Sequence, residues 1–252
     1  MSYGAGTRSR AGSHPCARPL PYRSPRASPR NNCWPWPNWR GRRDRTPRDS
    51  GSGPGPRRGK GAADTVGRMR APIGTFEDAS PASERLDLLP APVATALAAG
   101  WGDITADRII HVDTDPAVAD TAVFVEHHGR DLLDTSANCV VVAGKRGGET
   151  TLAACVVLSR TRVDVNGAVR KHLGARKASF AAMDTAVGET GMEYGGITPI
   201  GLPAAWPLLL DPAVVDEEWV LIGSGSRRGK LIVPGKALAA LPGAVVVEGL
   251  GI

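Results

Sequence analysis

The fold is decided by residues 138–158, which read NCVVVAGKRGGETTLAACVVL. Two apolar runs rich in β-branched residues, at 138–143 and 152–158, flank the turn-like stretch GKRGGE. Short runs of this kind on either side of a turn predict a β-hairpin with a longer loop. Strands and helices interleave elsewhere in the chain, so this antiparallel hairpin predicts a mixed sheet rather than a purely parallel one.

Helices and further strands are predicted on both sides of the hairpin. Residues 92–100 read PVATALAAG, with proline in the first turn and glycine at the end, as in a short helix. Asp164 is predicted to cap a helix that runs to Leu173. The fold class is therefore predicted to be α/β (mixed), with a curved mixed β-sheet flanked by helices. The other predicted elements are helices at 116–128, 182–188 and 236–241 and strands at 219–222, 230–233 and 244–247.

Charge is divided unevenly along the chain. Residues 1–68 hold 15 Lys+Arg and 3 Asp+Glu, a net charge of +12, whereas residues 69–252 hold 16 and 22, a net charge of −6. The first segment also has 10 of the 21 prolines, one Leu, one Val and neither Ile nor Phe. Such a segment buries too little apolar surface to offset the entropy lost on ordering, so disorder is expected.

The predicted organisation is a disordered Arg/Pro-rich arm at 1–68, a linker at 69–90 and one domain at 91–252. The composition of the arm also fits sequence translated from a misassigned start, in which case Met69 is the natural alternative.

Several classes of protein and site are disfavoured by what the sequence lacks. The four cysteines form no CxxC pair, so neither a zinc site nor any other metal site is expected. Cys139 and Cys155 lie in apolar runs and are expected to be buried, reduced thiols of a cytoplasmic protein. No run approaches the roughly 18 apolar residues of a membrane span, so no membrane partner is expected. No motif points to a cofactor.

Two glycine-rich stretches are the candidate binding loops. Residues 190–201 read TGMEYGGITPIG, with four glycines and one proline. Glycine lets a backbone approach a ligand closely and present its N–H groups, although such a loop, taken alone, is more often a structural turn than a binding site. Residues 223–230 read GSGSRRGK, which departs from a phosphate-binding P-loop because position 224 is Ser and position 231 is Leu. Arg227 and Arg228 could equally form a solvated basic turn.

The first loop carries a resemblance to a known family. Thr190-Gly191 followed by Gly195-Gly196-Ile197-Thr198-Pro199-Ile200-Gly201 resembles the most recognisable motif of the YbaK/prolyl-tRNA synthetase-associated (aminoacyl-tRNA editing) domain family. The resemblance covers about residues 90 to 250. It implies the fold of that family and the activity of an aminoacyl-tRNA deacylase, which hydrolyses mischarged tRNA in trans. The partners it implies are the 3′ end of aminoacyl-tRNA and an aminoacyl-tRNA synthetase.

The resemblance also implies roles for individual residues. The residues it places at the substrate are Asn138, Gly195, Gly196, Pro199, Asp211, Gly223, Ser224 and Gly225. The residues it places at tRNA phosphates are Arg227 and Arg228. Asp211 has an alternative role, because an Asp that follows an apolar run and precedes Pro is typical of a helix N-cap.

This sequence departs from the family at one position. The family has a characteristic Lys at the start of the first hairpin strand, where this chain has Ala137 or, with a shift of one residue, Asn138. Lys145 and Arg146 are too far along the strand to replace it, since seven residues at about 3.3 Å each span over 20 Å. The catalytic residue is therefore unknown. A non-catalytic module that binds aminoacyl-tRNA or a related ligand in the same pocket is the alternative. The net charge of −6 disfavours tight tRNA binding by the domain alone.

Deleting residues 1–68 is expected to leave the melting temperature of the domain nearly unchanged, because the arm has almost no aliphatic side chains to pack. Thermal unfolding of the full chain and of the truncated chain tests this. A fall of more than about 5 °C, roughly 1–2 kcal/mol for a domain of this size, would show that the arm packs on the domain.

Overall fold

The computed structural model describes residues 69–76, 78–116 and 121–252. The predicted disordered arm at 1–68 and the predicted helix residues 117–120 lie outside the described residues. The described strands are β1 (Ala79–Pro81), β2 (Ile110–Asp113), β3 (Ala137–Arg146), β4 (Glu149–Leu158), β5 (Lys177–Phe180), β6 (Leu208–Leu210), β7 (Val220–Gly223), β8 (Gly229–Val233) and β9 (Ala244–Val246). The described α-helices are α1 (Ala91–Ala99), α2 (Thr121–His128), α3 (Leu132–Thr135), α4 (Arg170–His172), α5 (Met183–Thr190), α6 (Pro212–Asp216) and α7 (Gly235–Ala239).

The strands form two sheets, and the predicted mixed α/β class is confirmed. One sheet has the order β1-β2-β8-β7, and its neighbouring strands are all antiparallel. The other has the order β5-β3-β4-β6-β9 and is mixed, because β4, β6 and β9 run parallel while β3 is antiparallel to both of its neighbours. None of the described helices is long and apolar enough to cross a bilayer.

The predicted hairpin is confirmed as β3–β4, but it is longer and tighter than the sequence suggested. Its register runs from Ala137 opposite Leu158 to Arg146 opposite Glu149. Only Gly147 and Gly148 connect the strands, with φ of 59° and 91°. Positive φ at both positions is the geometry of the two-residue turns that match strand twist, and glycine adopts it without strain. The polar residues predicted as loop are therefore paired strand.

Both faces of the hairpin are buried, which explains why its strands are continuously apolar in the sequence. Val141 and Ala143 belong to the largest core cluster, together with residues of α1, β7 and β8. Val140 and Val142 point to the opposite face and pack in a separate cluster with Val169.

Two of the predicted helices have ends that the sequence identified. The helix at α1 has proline in its first turn and ends at Gly100, whose φ is 67°. The Asp164 carboxylate caps the wide helical turn Val165–Val169 by accepting bonds of 2.9 Å from the N–H groups of Gly167 and Ala168. That turn leads directly into α4.

The segment predicted to be a linker, residues 69–90, contains part of the folded structure. β1 pairs with β2, and Ala79, Ala82 and Leu89 are buried. Sequence reasoning predicted no strand here and also missed β2, β5 and β6. The equally short strands β7 and β9 were predicted, because they lie in the apolar runs WVLI and AVVV, whereas β1 and β5 read ASP and KASF.

One bridge joins the two sheets and positions the candidate site. Ser136, just before β3, pairs in parallel with Leu221 of β7. This bridge brings the start of β3 against β7, the strand that leads into the turn at residues 224–228. The start of the hairpin therefore lies next to the turn that follows β7.

Candidate functional site

The two glycine-rich stretches, treated separately in the sequence, are joined in the structure. The glycine loop, residues 191–201, follows α5, and the serine–arginine turn, residues 224–228, connects β7 to β8. The N–H of Gly225 donates to the carbonyl oxygen of Gly196 at 2.7 Å, and the N–H of Glu193 donates to the carbonyl oxygen of Gly225 at 2.8 Å. These reciprocal bonds make one rigid backbone unit.

Two glycines allow the loop and the turn to approach so closely. A β-carbon at Gly196 would lie 2.6 Å from the carbonyl carbon of Ser226, and one at Gly223 would collide with the carbonyl oxygen of Gly196. Both neighbours are backbone atoms, which cannot move aside as a side chain can. The space beside Gly196 is therefore filled by the turn rather than open to a ligand, whereas Gly195 is exposed and has a φ of 80°.

Glu193 is a residue of this unit that sequence reasoning missed. Its carboxylate oxygen Oε2 accepts a bond of 2.7 Å from the N–H of Arg227. The Arg227 guanidinium donates in turn to the carbonyl oxygen of Pro116 at 3.1 Å, while Arg228 is exposed. The sequence feature that could have identified Glu193 is a carboxylate within a glycine-rich loop, because such a group needs a hydrogen-bond donor nearby. Of the two arginines predicted to meet phosphate, Arg228 is the more accessible.

The predicted site residue Ser224 is fully buried, and its hydroxyl shapes the turn. The hydroxyl donates to the carbonyl oxygen of Gly229 at 2.9 Å and accepts a bond of 3.4 Å from the N–H of Ser226. Its side chain therefore serves the backbone of the turn. Any interaction of Ser224 with substrate would be made by its main chain.

A buried histidine lies beneath the same turn. His111 is 1% exposed, and a β-carbon at Gly229 would collide with its Nε2 atom. Burial, with a further contribution from the charge of Arg85, lowers the pKa of His111 to about 4. The imidazole is therefore neutral at pH 7, and its Nδ1 has no hydrogen-bond partner in the described chain.

The resemblance aligns the family lysine with Ala137 or Asn138, at the start of β3. Ala137 is 6% exposed and packs in the largest core cluster. Asn138 is half-buried on the opposite face of β3, opposite Val157 of β4. Neither alternative alignment supplies a cation at the start of the hairpin.

Asp211, predicted either as a site residue or as an N-cap, caps α6. One carboxylate oxygen accepts from the N–H of Ala213 at 2.9 Å, and the other accepts from the N–H of Gly251. The residue is 8% exposed. Both oxygens are thus used to hold α6 and the C-terminal residues, and a role for Asp211 at the substrate stays a prediction.

The inner part of the glycine loop holds an unpaired hydroxyl. Thr198 and Pro199 are buried, and the Oγ1 atom of Thr198 has no hydrogen-bond partner in the described chain. A buried hydroxyl without a partner costs about 1–3 kcal/mol, so it calls for an explanation. The loop is backed by α1, since a β-carbon at Gly201 would lie 2.5 Å from the carbonyl oxygen of Pro92.

The two described cysteines are unsuited to nucleophilic chemistry. Burial raises the pKa of the Cys139 thiol to about 12 and raises that of Cys155 as well. Both are unpaired, in keeping with the predicted reduced thiols, and both stay protonated at neutral pH. No group of three or more possible metal ligands occurs in the described residues.

Comparisons with known proteins agree with this architecture. The sequence profile described as "Aminoacyl-tRNA editing domain" matches residues 115–241, just over half of the 252 residues. The chain therefore belongs to the aminoacyl-tRNA editing domain family, as the glycine-loop motif predicted. None of the curated proteins matches the chain.

Solved structures share the fold at low sequence identity. One, described as a crystal structure of a candidate trans-editing enzyme for prolyl tRNA synthetase, is 19% identical with a TM-score of 0.51, and the match covers 67% of this chain and 96% of that chain. Another, from work on computational grafting of linear epitopes onto scaffold proteins, is 19% identical with a TM-score of 0.50 and coverages of 69% and 98%. At this identity the likeness shows the fold.

Gly196→Ala is expected to destabilise the domain by about 1–3 kcal/mol, because the new methyl group would force the serine–arginine turn away from the glycine loop. Gly188→Ala is the matched control. Gly188 lies in α5 with nothing within 4 Å of a new β-carbon, so the control should be neutral or stabilising by up to about 1 kcal/mol. Urea unfolding of both variants measures the difference, and equal stabilities would contradict the close approach of loop and turn.

His111 is expected to make the domain less stable as the pH falls. Its folded pKa of about 4 lies below the ordinary value of 6.5, so the unfolded state binds the proton first. The free energy of unfolding that depends on His111 is constant above pH 6.5. It falls between pH 6.5 and 4, by about 3 kcal/mol in total. Urea unfolding across this range should show a flatter pH profile for His111→Gln than for the wild type, with pH 8 giving the cost of the substitution itself. Parallel profiles would rule out a buried neutral imidazole.

Proposed function

We propose that this protein is an aminoacyl-tRNA deacylase that hydrolyses the ester of mischarged tRNA in trans. The observation that carries the proposal is the union of the glycine loop with the serine–arginine turn through the Gly225–Gly196 and Glu193–Gly225 bonds. Family membership supports the same reading, because the glycine loop lies within the matched residues 115–241. A rigid, glycine-rich backbone wall is suited to holding a small, flat ester group.

The donors of the proposed site belong to the backbone. The N–H of Gly195 is exposed and donates to no acceptor in the described part of the chain. Such a donor, fixed before the reaction, can bind the carbonyl oxygen as negative charge develops on it. In the proposed reaction, water attacks the carbonyl carbon and the carbonyl π electrons move to oxygen. The bond to the ribose oxygen then breaks, and the ribose oxygen takes up a proton released by the attacking water.

The described cysteines and the position of the family lysine offer no nucleophile for this scheme. The thiols of Cys139 and Cys155 are protonated, and the lysine is replaced by the buried Ala137 or the half-buried Asn138. Catalysis would then rest on positioning the ester and on the backbone donors, which elsewhere account for factors of about 10²–10³ in rate per donor.

Asn138 and the exposed Arg228 are proposed to contact the terminal nucleotide. The domain at residues 91–252, extended by β1 and the residues that follow it, is proposed as the unit that carries the activity.

The alternative is a module that binds aminoacyl-tRNA without hydrolysing it. One observation favours it, namely that neither Ala137, which packs in the apolar core, nor the half-buried Asn138 supplies a cation where the family has one. The glycine loop and the serine–arginine turn would form the same pocket in either case.

The decisive experiment combines a panel of mischarged tRNAs with the variant Thr198→Val in the full chain. If the unpaired Thr198 hydroxyl bonds the substrate, its removal should lower kcat/KM about tenfold, the value of one hydrogen bond of about 1.4 kcal/mol. The same change should raise the melting temperature, because it removes a buried hydroxyl without a partner. Loss of activity together with a gain in stability is not expected of a purely structural residue.

Ser80→Ala is the matched control, since Ser80 is also a buried, unpaired hydroxyl but lies in β1, outside the glycine loop. It should raise stability and leave deacylation unchanged. Binding of aminoacyl-tRNA without hydrolysis of any ester would favour the non-catalytic module. Neither binding nor hydrolysis across the panel would overturn the proposed function.

A further inference from the structure

The acidic net charge of the domain conceals a strongly basic segment. Residues 145–177 hold eight Lys+Arg and two Asp+Glu, a net charge of +6, so the rest of 69–252 carries −12. This segment comprises the tip of the β3–β4 hairpin, β4, α4 and the start of β5. Its charge lies far in sequence from the serine–arginine turn.

Six of these cations lie together in the structure and are called the basic patch: Lys145, Arg146, Arg170, Lys171, Arg176 and Lys177. Lys145 of β3 is directly opposite Lys177 of β5, and the N–H of Arg176 donates to the carbonyl oxygen of Lys145 at 2.9 Å. The N–H of Ala175 donates to the carbonyl oxygen of Arg170 at 3.0 Å, which brings the end of α4 against the same strands. All six side chains are exposed.

The patch surrounds an open concavity of about 730 Å³, lined by Arg146, Gly147, Arg170, Gly174, Ala175 and Arg176. Two of its guanidinium groups are held in place by backbone oxygens. Arg146 donates through Nη1 to Gly174 at 3.1 Å, and Arg170 donates through Nε to Asn166 at 2.7 Å. A guanidinium has five N–H donors, so each group keeps further donors for a ligand. Fixed arginines bind phosphate in two-bond geometry with little loss of entropy.

No carboxylate of the described residues neutralises the patch by an ion pair within 4 Å. The ion pair between Arg160 and Asp134 lies outside the patch. Of the two carboxylates in the segment, Asp164 is used as a helix cap and Glu149 faces Arg146 across the hairpin without forming an ion pair. Like charges placed opposite each other, as Lys145 and Lys177 are, destabilise a sheet. The arrangement therefore costs folding stability and favours an anionic ligand.

We propose that the basic patch binds the phosphate backbone of RNA, specifically the arm of the tRNA whose 3′ end lies at the glycine loop. This inference rests on the proposed function for the identity of the RNA. The patch and the glycine loop lie at opposite ends of β3, and from Asn138 to Arg146 the strand spans about 26 Å. Lys145 and its partner Lys177 are on the face of the sheet that includes Val141 and Ala143 and packs toward the glycine loop, whereas Arg146 and α4 lie toward the face of Val140 and Val142. The duplex arm of a tRNA is long enough to span the distance from the loop to the patch, and a short aminoacyl ester is not.

The test compares two double variants of the full chain that remove the same charge. Lys145→Gln/Lys177→Gln removes two of the six cations of the patch, and Arg108→Gln/Arg130→Gln removes two exposed cations outside it. Affinity for uncharged tRNA is measured by fluorescence anisotropy from 50 to 200 mM salt. The patch variant should bind at least tenfold more weakly at low salt, with a log–log salt slope less steep by about 0.7–0.9 for each phosphate that the protein no longer neutralises. The control should match the wild type, and both tRNA measurements stand even if the protein has no deacylase activity.

A second readout applies where deacylation is found. The ratio of kcat/KM for whole mischarged tRNA to that for a short aminoacyl ester should fall about tenfold or more in the patch variant. Lys145→Arg/Lys177→Arg, which keeps the charge, should restore both the ratio and the salt slope. If the patch variant has the same tRNA affinity, salt slope and substrate ratio as the control, the proposal is wrong. Aggregation of the patch variant with unchanged tRNA affinity would likewise overturn it, because these lysines would then only protect the edge strand β5 from pairing with other chains.

Discussion

The rest of the structure depends on the antiparallel ladder between β3 and β4. Ten residue pairs join these strands, and both faces of the ladder are covered, one by each of two separate core clusters. Burial on both sides fixes the register, since a slip of one residue would exchange the two sets of side chains between clusters of different shape. The bridge from Ser136 to Leu221 then ties this ladder to the all-antiparallel sheet. Every candidate functional feature is positioned relative to one end of the hairpin or the other.

Near the start of the hairpin, the proposed site is built from backbone groups rather than from side chains. The glycine loop and the serine–arginine turn approach until carbonyl and amide groups bond directly, which only glycine at Gly196 and Gly223 permits. Side chains that looked functional serve this framework: Ser224 closes the turn, Glu193 accepts from Arg227, and Asp211 caps α6. In the proposed deacylase, a site built from backbone donors would tolerate the absence of the family lysine better than one that depends on a side-chain acid or base.

At the other end of the hairpin, the cations of the basic patch form no ion pairs with the carboxylates of the described residues. The domain has an acidic net charge, yet its cations are concentrated where β3, β4, α4 and β5 meet. Electrostatic attraction between surface groups is screened beyond about 10 Å at ordinary ionic strength, so a ligand at the hairpin tip responds to the local charge rather than to the total. The net charge of the domain therefore does not set the local electrostatic potential at the hairpin tip.

The sequence by itself determined the mixed fold class, the hairpin, α1, the cap at Asp164 and the family, because each depends on a local pattern: apolar runs, cap residues or a glycine motif. It did not reveal β1, β2, β5 or β6, which take their conformation from the strands they pair with. Nor did it reveal that Glu193 and Arg227 would meet across 34 residues, or that His111 would be buried neutral beneath the turn. Only tertiary structure decides such features, because hydrogen bonding, burial and the resulting pKa depend on neighbours that the fold brings together from distant parts of the chain.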